Sequence, residues 1–193
     1  MSEHESDSGT LAGRLRAGKP DVEILREALD YDPETGRLRW KTRPRHHFSR
    51  DLDTRRWNTC FSGRLAGSAG AQGYLSLAIF NRHYQAHRVA WALYMGAWPL
   101  ELIDHVNGVR HDNRIKNLRL ATHEENLRNS NMPSNNTSGI KGVSWHSAGR
   151  KWVAYVNVTK KRFNLGLFDT IEEAEQAVRA ARELNHGKFA NHG

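Results

Sequence analysis

Residues 103–126 read IDHVNGVRHDNRIKNLRLATHEEN, and this stretch decides which fold and which chemistry the sequence predicts. Its first residues favour a strand, and Asn107-Gly108 is typical of a tight turn because both residues tolerate a positive φ. A second extended piece follows the turn, and a capping box of Thr122 and Glu125 then opens a helix. Strand, turn, strand and helix within two dozen residues predict a compact site built from positions that are separated in sequence.

Four side chains of this stretch are the candidate site residues. A carboxylate and an amide oxygen suit Mg²⁺, which keeps several waters and takes up phosphate, so Asp104 and Asn126 are the predicted metal ligands. His105 stands beside an acid and outside any Cys/His cluster, which suits a general base near neutral pH. Asn117 is expected to hold the imidazole or the neighbouring backbone in place.

Adjacent residues of a strand point to opposite sides, so Asp104 and His105 are expected to act from two sides of one substrate bond. In-line attack of water on a phosphodiester requires a metal that stabilises charge on the phosphate and a base that takes the proton of the water. The residues therefore predict a phosphodiester hydrolase with one divalent ion, Mg²⁺ or Mn²⁺, and no small-molecule cofactor. The simpler alternative is an ordinary domain whose turns and caps use the same residue types.

The order Asp-His, Asn-Gly, Asp-Asn-Arg, Asn-Leu-Arg and Glu-Asn resembles the HNH homing endonucleases, in the variant whose last metal ligand is Asn. The resemblance implies a ββα-metal fold in which Asp104 and Asn126 bind the ion, His105 is the general base and Asn117 is the structural asparagine. It also implies a phage-type protein that acts on double-stranded DNA as a monomer. Nicking of one strand and products with 5′-phosphate and 3′-hydroxyl ends are further expectations of the family.

Two other function classes stay open at this point. A regulatory DNA-binding protein whose nuclease core no longer cuts would keep the same fold, although the intact set of four site residues argues against it. An RNA nuclease has less support, because the sequence shows no aromatic stacking motif of the usual RNA-binding modules. Cleavage and competition assays with duplex DNA and RNA separate these classes.

The composition favours a polyanionic partner, because 29 Lys and Arg stand against 21 Asp and Glu for a formal net charge of +8. The single cysteine, Cys60, excludes an internal disulfide and a Cys-based zinc knuckle. No run approaches about 18 apolar residues, and the acidic N-terminus lacks the pattern of a signal peptide. The sequence therefore predicts a soluble, intracellular protein without a membrane partner. The resemblance implies that it is cytoplasmic, in a bacterial or phage-infected host cell.

The region before the core carries little predicted chemistry. Residues 1–30 are expected to form an extension that is disordered to about residue 18 and helical over 21–29. The phrase YDPETGRLRW, residues 31–40, predicts a turn and a strand and resembles the lead-in of phage-type HNH proteins. Residues 43–56 hold several arginines and are expected to form a basic loop, either near the substrate or in solvent. Within that loop His46 and His47 have no further ligand nearby in sequence, so no metal is assigned to them.

Residues 66–84 predict a hairpin about Asn81-Arg82, and residues 86–95 predict an apolar helix that ends at Gly96 and braces the core strands. His83 and His87 have a spacing that binds metal on a helix, but His83 is expected in the strand. Packing or phosphate contact is therefore favoured over metal binding for this pair.

Residues 131–138 have the composition of a linker, and residues 139–193 form a separate pattern. Three strands over 142–146, 151–158 and 162–168 are predicted to precede a helix with a capping box of Thr170 and Glu173. The phrases SGIKGVSWH, GRKWVAYV, LGLFDTIEEA and GKFAN resemble the Apetala-type DNA-binding domain, in which a three-stranded sheet enters the major groove.

The residues expected to contact DNA by this resemblance and by their charge are Lys141, Ser144, His146, Arg150, Tyr155, Asn157, Arg162 and Asn164. Plant domains carry arginine or tryptophan at several of these positions, so the plant target sequence is not expected here. A small sheet with solvated lysines is the alternative.

The predicted fold class is α+β: a ββα-metal core preceded by a hairpin and a helix, and then a small three-stranded antiparallel sheet with one helix. The predicted domains are an extension at 1–30, a nuclease domain at 31–130, a linker at 131–138 and a DNA-binding domain at 139–193.

Overall fold

A computed structural model describes residues 18–70, 72–129, 132, 135–158 and 161–190. The predicted disordered lead-in therefore lies almost wholly outside the described residues. The chain divides into two compact units, Met1–Arg119 and Leu120–Gly193. Within the described ranges, no helix has both the length and the apolar character that a membrane crossing needs.

The first unit contains three helices and a series of short antiparallel strands in its described part. In chain order they are α1 (Val22–Ala28), β1 (Leu29–Asp32), β2 (Arg37–Trp40), α2 (Asp51–Phe61), β3 (Ser68–Ala69), β4 (Leu75–Ile79), β5 (Arg82–Gln85), α3 (Ala86–Met95), β6 (Leu102–His105) and β7 (Leu118–Ala121). Strand β7 runs across the division between the two units.

One apolar cluster holds most of the first unit together. Leu25 of α1, Ile79 of β4 and Val89 of α3 are fully buried in it, and Trp40 of β2 closes one side. The predicted helix at 21–29 is confirmed, and its apolar side packs directly into this cluster. Residues 31 and 32 extend β1 instead of starting the turn, because they pair with Leu38 and Arg37 across the hairpin.

The basic segment 43–56 is not a loop throughout, so that prediction was wrong. It contains a 3₁₀ turn at Arg45–His47 and the first half of α2. Arg43 is also not in solvent: only 5% of it is exposed, and its guanidinium lies 4.5–4.7 Å from the rings of Phe48, Trp57 and Phe80. The sequence concealed this helix because α2 buries none of its residues fully and so lacks an apolar stripe.

The predicted hairpin is confirmed as β4 and β5, with its turn one residue earlier than expected. Phe80 and Asn81 occupy the turn with φ of 51° and 59°. Helix α3 ends at Gly96 as predicted, because a φ of 76° there is a left-handed C-terminal cap that glycine adopts without strain. Strands β6 and β7 form a two-stranded sheet, and Ala90 of α3 packs against Ile103 and Leu118 of this sheet. The helix therefore braces the core strands as predicted.

The second unit starts with a short helix and continues into an independent sheet. Its described elements are α4 (His123–Arg128), β8 (Val143–His146), β9 (Lys151–Val158), β10 (Lys161–Phe168), α5 (Ile171–His186) and a 3₁₀ turn at Gly187–Phe189. Both predicted capping boxes are present, at Thr122 with Glu125 and at Thr170 with Glu173. The predicted turn at 159–160 lies outside the described residues.

The three strands form an antiparallel sheet in the order β10-β9-β8, and α5 covers one of its faces. Ala154 of β9 and Val143 of β8 pair across the strands and pack on Ala174 and Val178 of the helix. The mixed helices and small antiparallel sheets confirm the α+β class.

Candidate active site and DNA interface

Strand β6 positions the two residues on which the predicted chemistry depends. Its alternation puts Ile103 and His105 on the side that faces α3, where Ile103 contacts Ala90 and the His105 ring lies 5.1 Å from the His87 ring. Asp104 lies on the other side of the strand and pairs with Arg119 of β7. Both side chains are buried, with 5% of Asp104 and 4% of His105 exposed.

His105 is oriented by Asn113, a residue of the loop between β6 and β7. The Nε2 atom of His105 lies 3.3 Å from Oδ1 of Asn113. An amide oxygen only accepts, so Nε2 carries the proton of the neutral ring and Nδ1 carries the lone pair that takes up a proton. Burial lowers the pKa of His105, while the hydrogen bond that its ring donates to Asn113 raises it. The ring is therefore neutral near pH 7, as a general base must be.

Asn117 holds the backbone of the loop and not the imidazole. Its Oδ1 accepts from the backbone N–H of Asn107 at 3.0 Å, and its Nδ2 donates to the backbone oxygen of Asp112 at 2.7 Å. The backbone N–H of Val106 also donates to the backbone oxygen of Asn117 at 2.9 Å. These bonds fix the path of the loop between the two strands and so fix where Asn113 lies.

Two rings, those of Tyr74 and His87, lie against the candidate base. Tyr74 lies 5.4 Å from the His87 ring and 5.8 Å from the His105 ring. Burial, with the charges of His105 and Arg88, lowers the pKa of His87 to about 3. His87 is therefore neutral and presents no repelling charge to His105. Among the described residues Nδ1 of His87 has no hydrogen-bond partner. The His87 ring packs against the rings of Tyr74 and His105, whereas His83 is exposed in β5.

Arg119 neutralises the buried carboxylate of Asp104. Its Nε lies 2.8 Å and one of its terminal nitrogens 2.6 Å from the same oxygen, Oδ2. A buried carboxylate needs such a partner, because an unpaired charge in this environment would be costly. A hard carboxylate oxygen of this kind also fits the ligand preference of Mg²⁺ and Mn²⁺, so the residues present suit a divalent ion.

Asn126, the second predicted ligand, lies in α4 of the second unit. It is half-buried, and its backbone N–H donates to the oxygen of Thr122 in the first turn of the helix. The capping box fixes where this helix begins, and therefore fixes the side of α4 from which Asn126 projects.

The hairpin β1–β2 supports the loop that carries Asn113. The hydroxyl of Tyr31 donates to the backbone oxygen of Asn113 at 2.8 Å, and the backbone N–H of Ile115 donates to the oxygen of Pro33 at 3.1 Å. Gly36 approaches so closely that a Cβ atom there would lie 2.5 Å from the backbone nitrogen of Arg114. The turn of the β1–β2 hairpin therefore packs against the loop between β6 and β7 and stabilises its position.

A second group of potential ligands lies in the same unit, formed by Glu27, His46 and His47. Their ligand atoms lie within 4.8 Å of one another, close enough to hold a metal ion, so the third ligand missing from the sequence analysis comes from α1. However, Nδ1 of His47 accepts from Nε of Arg43 at 3.2 Å, which leaves the proton on Nε2, and Nε2 lies 2.8 Å from the Glu27 carboxylate. The group is satisfied as a hydrogen-bonded network, and an ion would have to displace that proton.

The sheet of the second unit has one face away from α5, which we call the open face. Cross-strand pairs share a face, so the pairs Asn157 with Arg162, Tyr155 with Asn164, and Ser144 with Val153 lie on it. His146 lies on it too, paired with Lys151. The open face therefore carries six of the eight residues predicted to contact DNA.

The other two predicted contacts lie elsewhere. Arg150 is in the turn between β8 and β9, exposed, with a φ of 48°. Lys141 is half-buried, and burial together with the charge of Arg182 lowers its pKa to about 8. Arg182 donates to the backbone oxygen of Lys141 at 2.6 Å, so this lysine has a role in packing the sheet on α5.

A strand, turn, strand and helix that carry a buried histidine beside a carboxylate, followed by an independent sheet with a polar face, define a nuclease with a DNA-binding module. Family models agree: the description "HNH endonuclease" matches residues 84–128 and "AP2 domain" matches residues 138–187. The chain is also 36% identical over 115 residues to Protein 3.8 of Escherichia phage T7, which covers 58% of this chain and 94% of that protein. The chain therefore belongs to the HNH endonucleases, and DNA is the partner that both domains support. No solved structure matches it.

Sequence reasoning missed three residues around the site: Asn113, Arg119 and His87 as a neighbour of the base. Asn113 had a signal, because it lies in the Asp-Asn-Arg phrase eight residues after His105. Arg119 had one too, since a carboxylate on one strand is often paired with a cation on the neighbouring strand. His87 had none, because only the packing of α3 on β6 brings it to His105.

Proposed function

We propose that the chain is an endonuclease that uses Mg²⁺ or Mn²⁺ to hydrolyse phosphodiester bonds of double-stranded DNA. The observation that carries the proposal is the orientation of His105 by Asn113, on the opposite side of β6 from Asp104. A base that accepts a proton on Nδ1 must carry the proton of the neutral ring on Nε2, and the contact with Asn113 Oδ1 favours that tautomer.

In this proposal Asp104 and Asn126 hold the divalent ion. The ion supplies charge stabilisation at the phosphate and at the leaving oxygen. His105 removes the proton of the attacking water with Nδ1, and Asn113 keeps the ring in the required tautomer and orientation. Asn117 has no contact with the reacting atoms and acts by fixing the loop.

The open face of the sheet is proposed to contact the DNA duplex. Residues 141–168 contain no acidic residue, and their basic residues are Lys141, Arg150, Lys151, Lys160, Lys161 and Arg162. The glutamates Glu172, Glu173, Glu175 and Glu183 lie instead on α5, which covers the opposite face. This separation of charge favours a polyanion on the open side, and a β-sheet fits the major groove. A homing-type monomer that nicks one strand is the finer proposal.

A supercoiled plasmid assay with Mg²⁺ or Mn²⁺ tests the proposal. The wild-type protein should convert the plasmid to open circles, and EDTA should stop this reaction. His105→Ala should cut about 10²- to 10⁴-fold more slowly, which is the range that general base catalysis contributes. The matched control is His111→Ala, because His111 is exposed in the same loop and should leave the rate within about twofold. Equal cleavage rates for wild type and His105→Ala would show that His105 is not the general base. Linear plasmid as the first product would contradict the nicking of one strand.

A DNA-binding protein that no longer cuts is the second candidate. One observation favours it: Arg119 engages Oδ2 of Asp104, an oxygen of the carboxylate that is proposed to bind the metal. The same assay decides between the two, because this candidate binds plasmid DNA without cutting it at any Mg²⁺ or Mn²⁺ concentration.

A further inference from the structure

The open face carries an apolar pair in its middle. Val153 of β9 pairs with Leu167 of β10, and both point away from α5 because their neighbours Ala154 and Phe168 pack into the core. Leu167 is 55% exposed. The strand pairing is irregular between Asn164 and Gly166, and at this irregularity Leu165 packs against the core. Leu167, two residues later, lies on the open face again.

Hydrogen-bonding side chains flank this pair in successive rows across the sheet. Ser144 of β8 extends the apolar row, because it pairs with Val153 on the other side. Asn164 and Tyr155 form the next row, and the row after that pairs Asn157 with Arg162. The guanidinium of Arg162 lies 3.7 Å over the Tyr155 ring, so it is held at one end of the face.

The spacing of these rows matches that of base pairs. Two residues along a strand advance about 6.6–6.8 Å. Successive bases advance about 3.4 Å along a strand of the duplex. Each row of the open face therefore corresponds to about two base steps, and the apolar row and the Asn164 row together cover roughly four base pairs.

The chemistry of the two rows selects among base pairs. An apolar side chain in the major groove gains contact with the thymine methyl group, whereas it leaves the hydrogen-bonding edge of a guanine or cytosine buried without a partner. An asparagine amide matches N6 and N7 of adenine in a bidentate pair. The apolar row and the Asn164 row thus favour the two bases of an A·T pair and penalise G·C.

We propose that the open face binds a duplex with an A·T core, with thymine methyl groups against Val153 and Leu167 and adenine against Asn164. This inference rests on the proposed use of the open face as the DNA-contacting surface. It adds the base composition of the target, which the nuclease site does not determine.

The test is a binding experiment with the full chain in EDTA, so that cleavage plays no part. Selection from a random duplex pool should enrich a core of about four A·T pairs. In the selected duplex, replacing a core thymine with deoxyuridine removes only the C5 methyl group. At one or two positions this change should weaken wild-type binding by about threefold to tenfold, measured by fluorescence anisotropy.

Two variants of the full chain locate the effect. Leu167→Ala should reduce the difference in affinity between the thymine and uracil duplexes, because it removes one of the two side chains, Leu167 and Val153, that contact methyl groups. Arg162→Ala should bind both more weakly and keep their ratio, with a shallower dependence on salt, because a phosphate contact carries no sequence information. Unchanged melting temperatures confirm that both variants are folded.

A G·C-rich selected core, a pool without enrichment, or wild-type binding that ignores the methyl group would each overturn the inference. A chain that prefers the A·T core but cuts no DNA would keep the inference and overturn only the proposed nuclease activity.

Discussion

Asn113 shows how much of the site depends on one buried amide. It is 2% exposed, and its Oδ1 is the acceptor that faces Nε2 of His105. A histidine without this acceptor can turn or carry its proton on the wrong nitrogen. The sequence contains the residue within its strongest motif, yet spacing alone does not show which of the asparagines in that motif reaches the ring.

Asn113→Ala should lower the single-turnover cleavage rate by about tenfold to a hundredfold, the usual loss when the partner that orients a catalytic histidine is removed. DNA affinity should stay unchanged, because Asn113 is buried and cannot reach a duplex. Rapid-quench cleavage at saturating enzyme measures the rate, and anisotropy measures the affinity. A rate equal to that of wild type would show that the loop positions His105 without this amide.

His47 makes the stability of the first unit dependent on pH. Burial lowers its pKa to about 4, against about 6.5 in an unfolded chain. Between these values the unfolded state binds a proton that the folded state does not, so the free energy of unfolding should fall as the pH decreases through this window. The side chain of His47 has no exposed surface, so solvent screens this effect little.

Urea unfolding of His47→Gln between pH 7 and pH 4 should show a shallower decrease than wild type, by up to about 3 kcal/mol at pH 4. His46→Gln is the matched control, because His46 contacts the same Glu27 oxygen but lies in a half-exposed position. Parallel curves for wild type and His47→Gln would contradict the burial argument.

At the scale of elements, the hairpin β1–β2 supports the candidate site although it contributes none of the proposed catalytic or metal-binding residues. Gly36 adopts a φ of 72°, and a side chain there would collide with the backbone of Asn113 and Arg114, whose nearest atoms lie 2.6 Å and 2.5 Å away. Neither backbone segment can move without shifting the loop that orients His105.

Gly36→Ala should therefore destabilise the chain by about 1–3 kcal/mol and also slow cleavage. Gly63→Ala is the control: Gly63 has a similar φ of 78°, but a Cβ atom there meets nothing within 4 Å among the described residues. It should show backbone strain without loss of cleavage by the folded protein. Equal cleavage rates for the two variants, measured well below their melting temperatures, would show that the hairpin does not affect the position of His105.

Elements with local signals were predictable, and elements that depend on distant contacts were not. The sequence predicted three helix ends to within one residue. The signals were the capping boxes at Thr122 and Thr170 and the glycine that ends α3. Helix α2 has no apolar stripe, and its Trp57 packs against the Trp40 ring and the Arg43 guanidinium. No local pattern shows that an arginine will be buried among three rings.

At the scale of the whole molecule, charge and chemistry are divided between the two units. The first unit holds the candidate base and the carboxylate, and the second holds the sheet whose basic residues are separated from the acids of α5. Composition predicted a polyanionic partner but not this division, since net charge says nothing about which face carries it. The central claim of the proposal is that Asp104 and Asn126 are the metal ligands.

A Mn²⁺ titration in the presence of duplex DNA, measured by electron paramagnetic resonance, tests that claim without relying on cleavage. Wild type should bind one ion per chain, Asp104→Ala and Asn126→Ala should each weaken binding at least tenfold, and His105→Ala should bind as wild type does. Unchanged Mn²⁺ affinity in both ligand variants would contradict the account, because the ion would then be held elsewhere or by other residues.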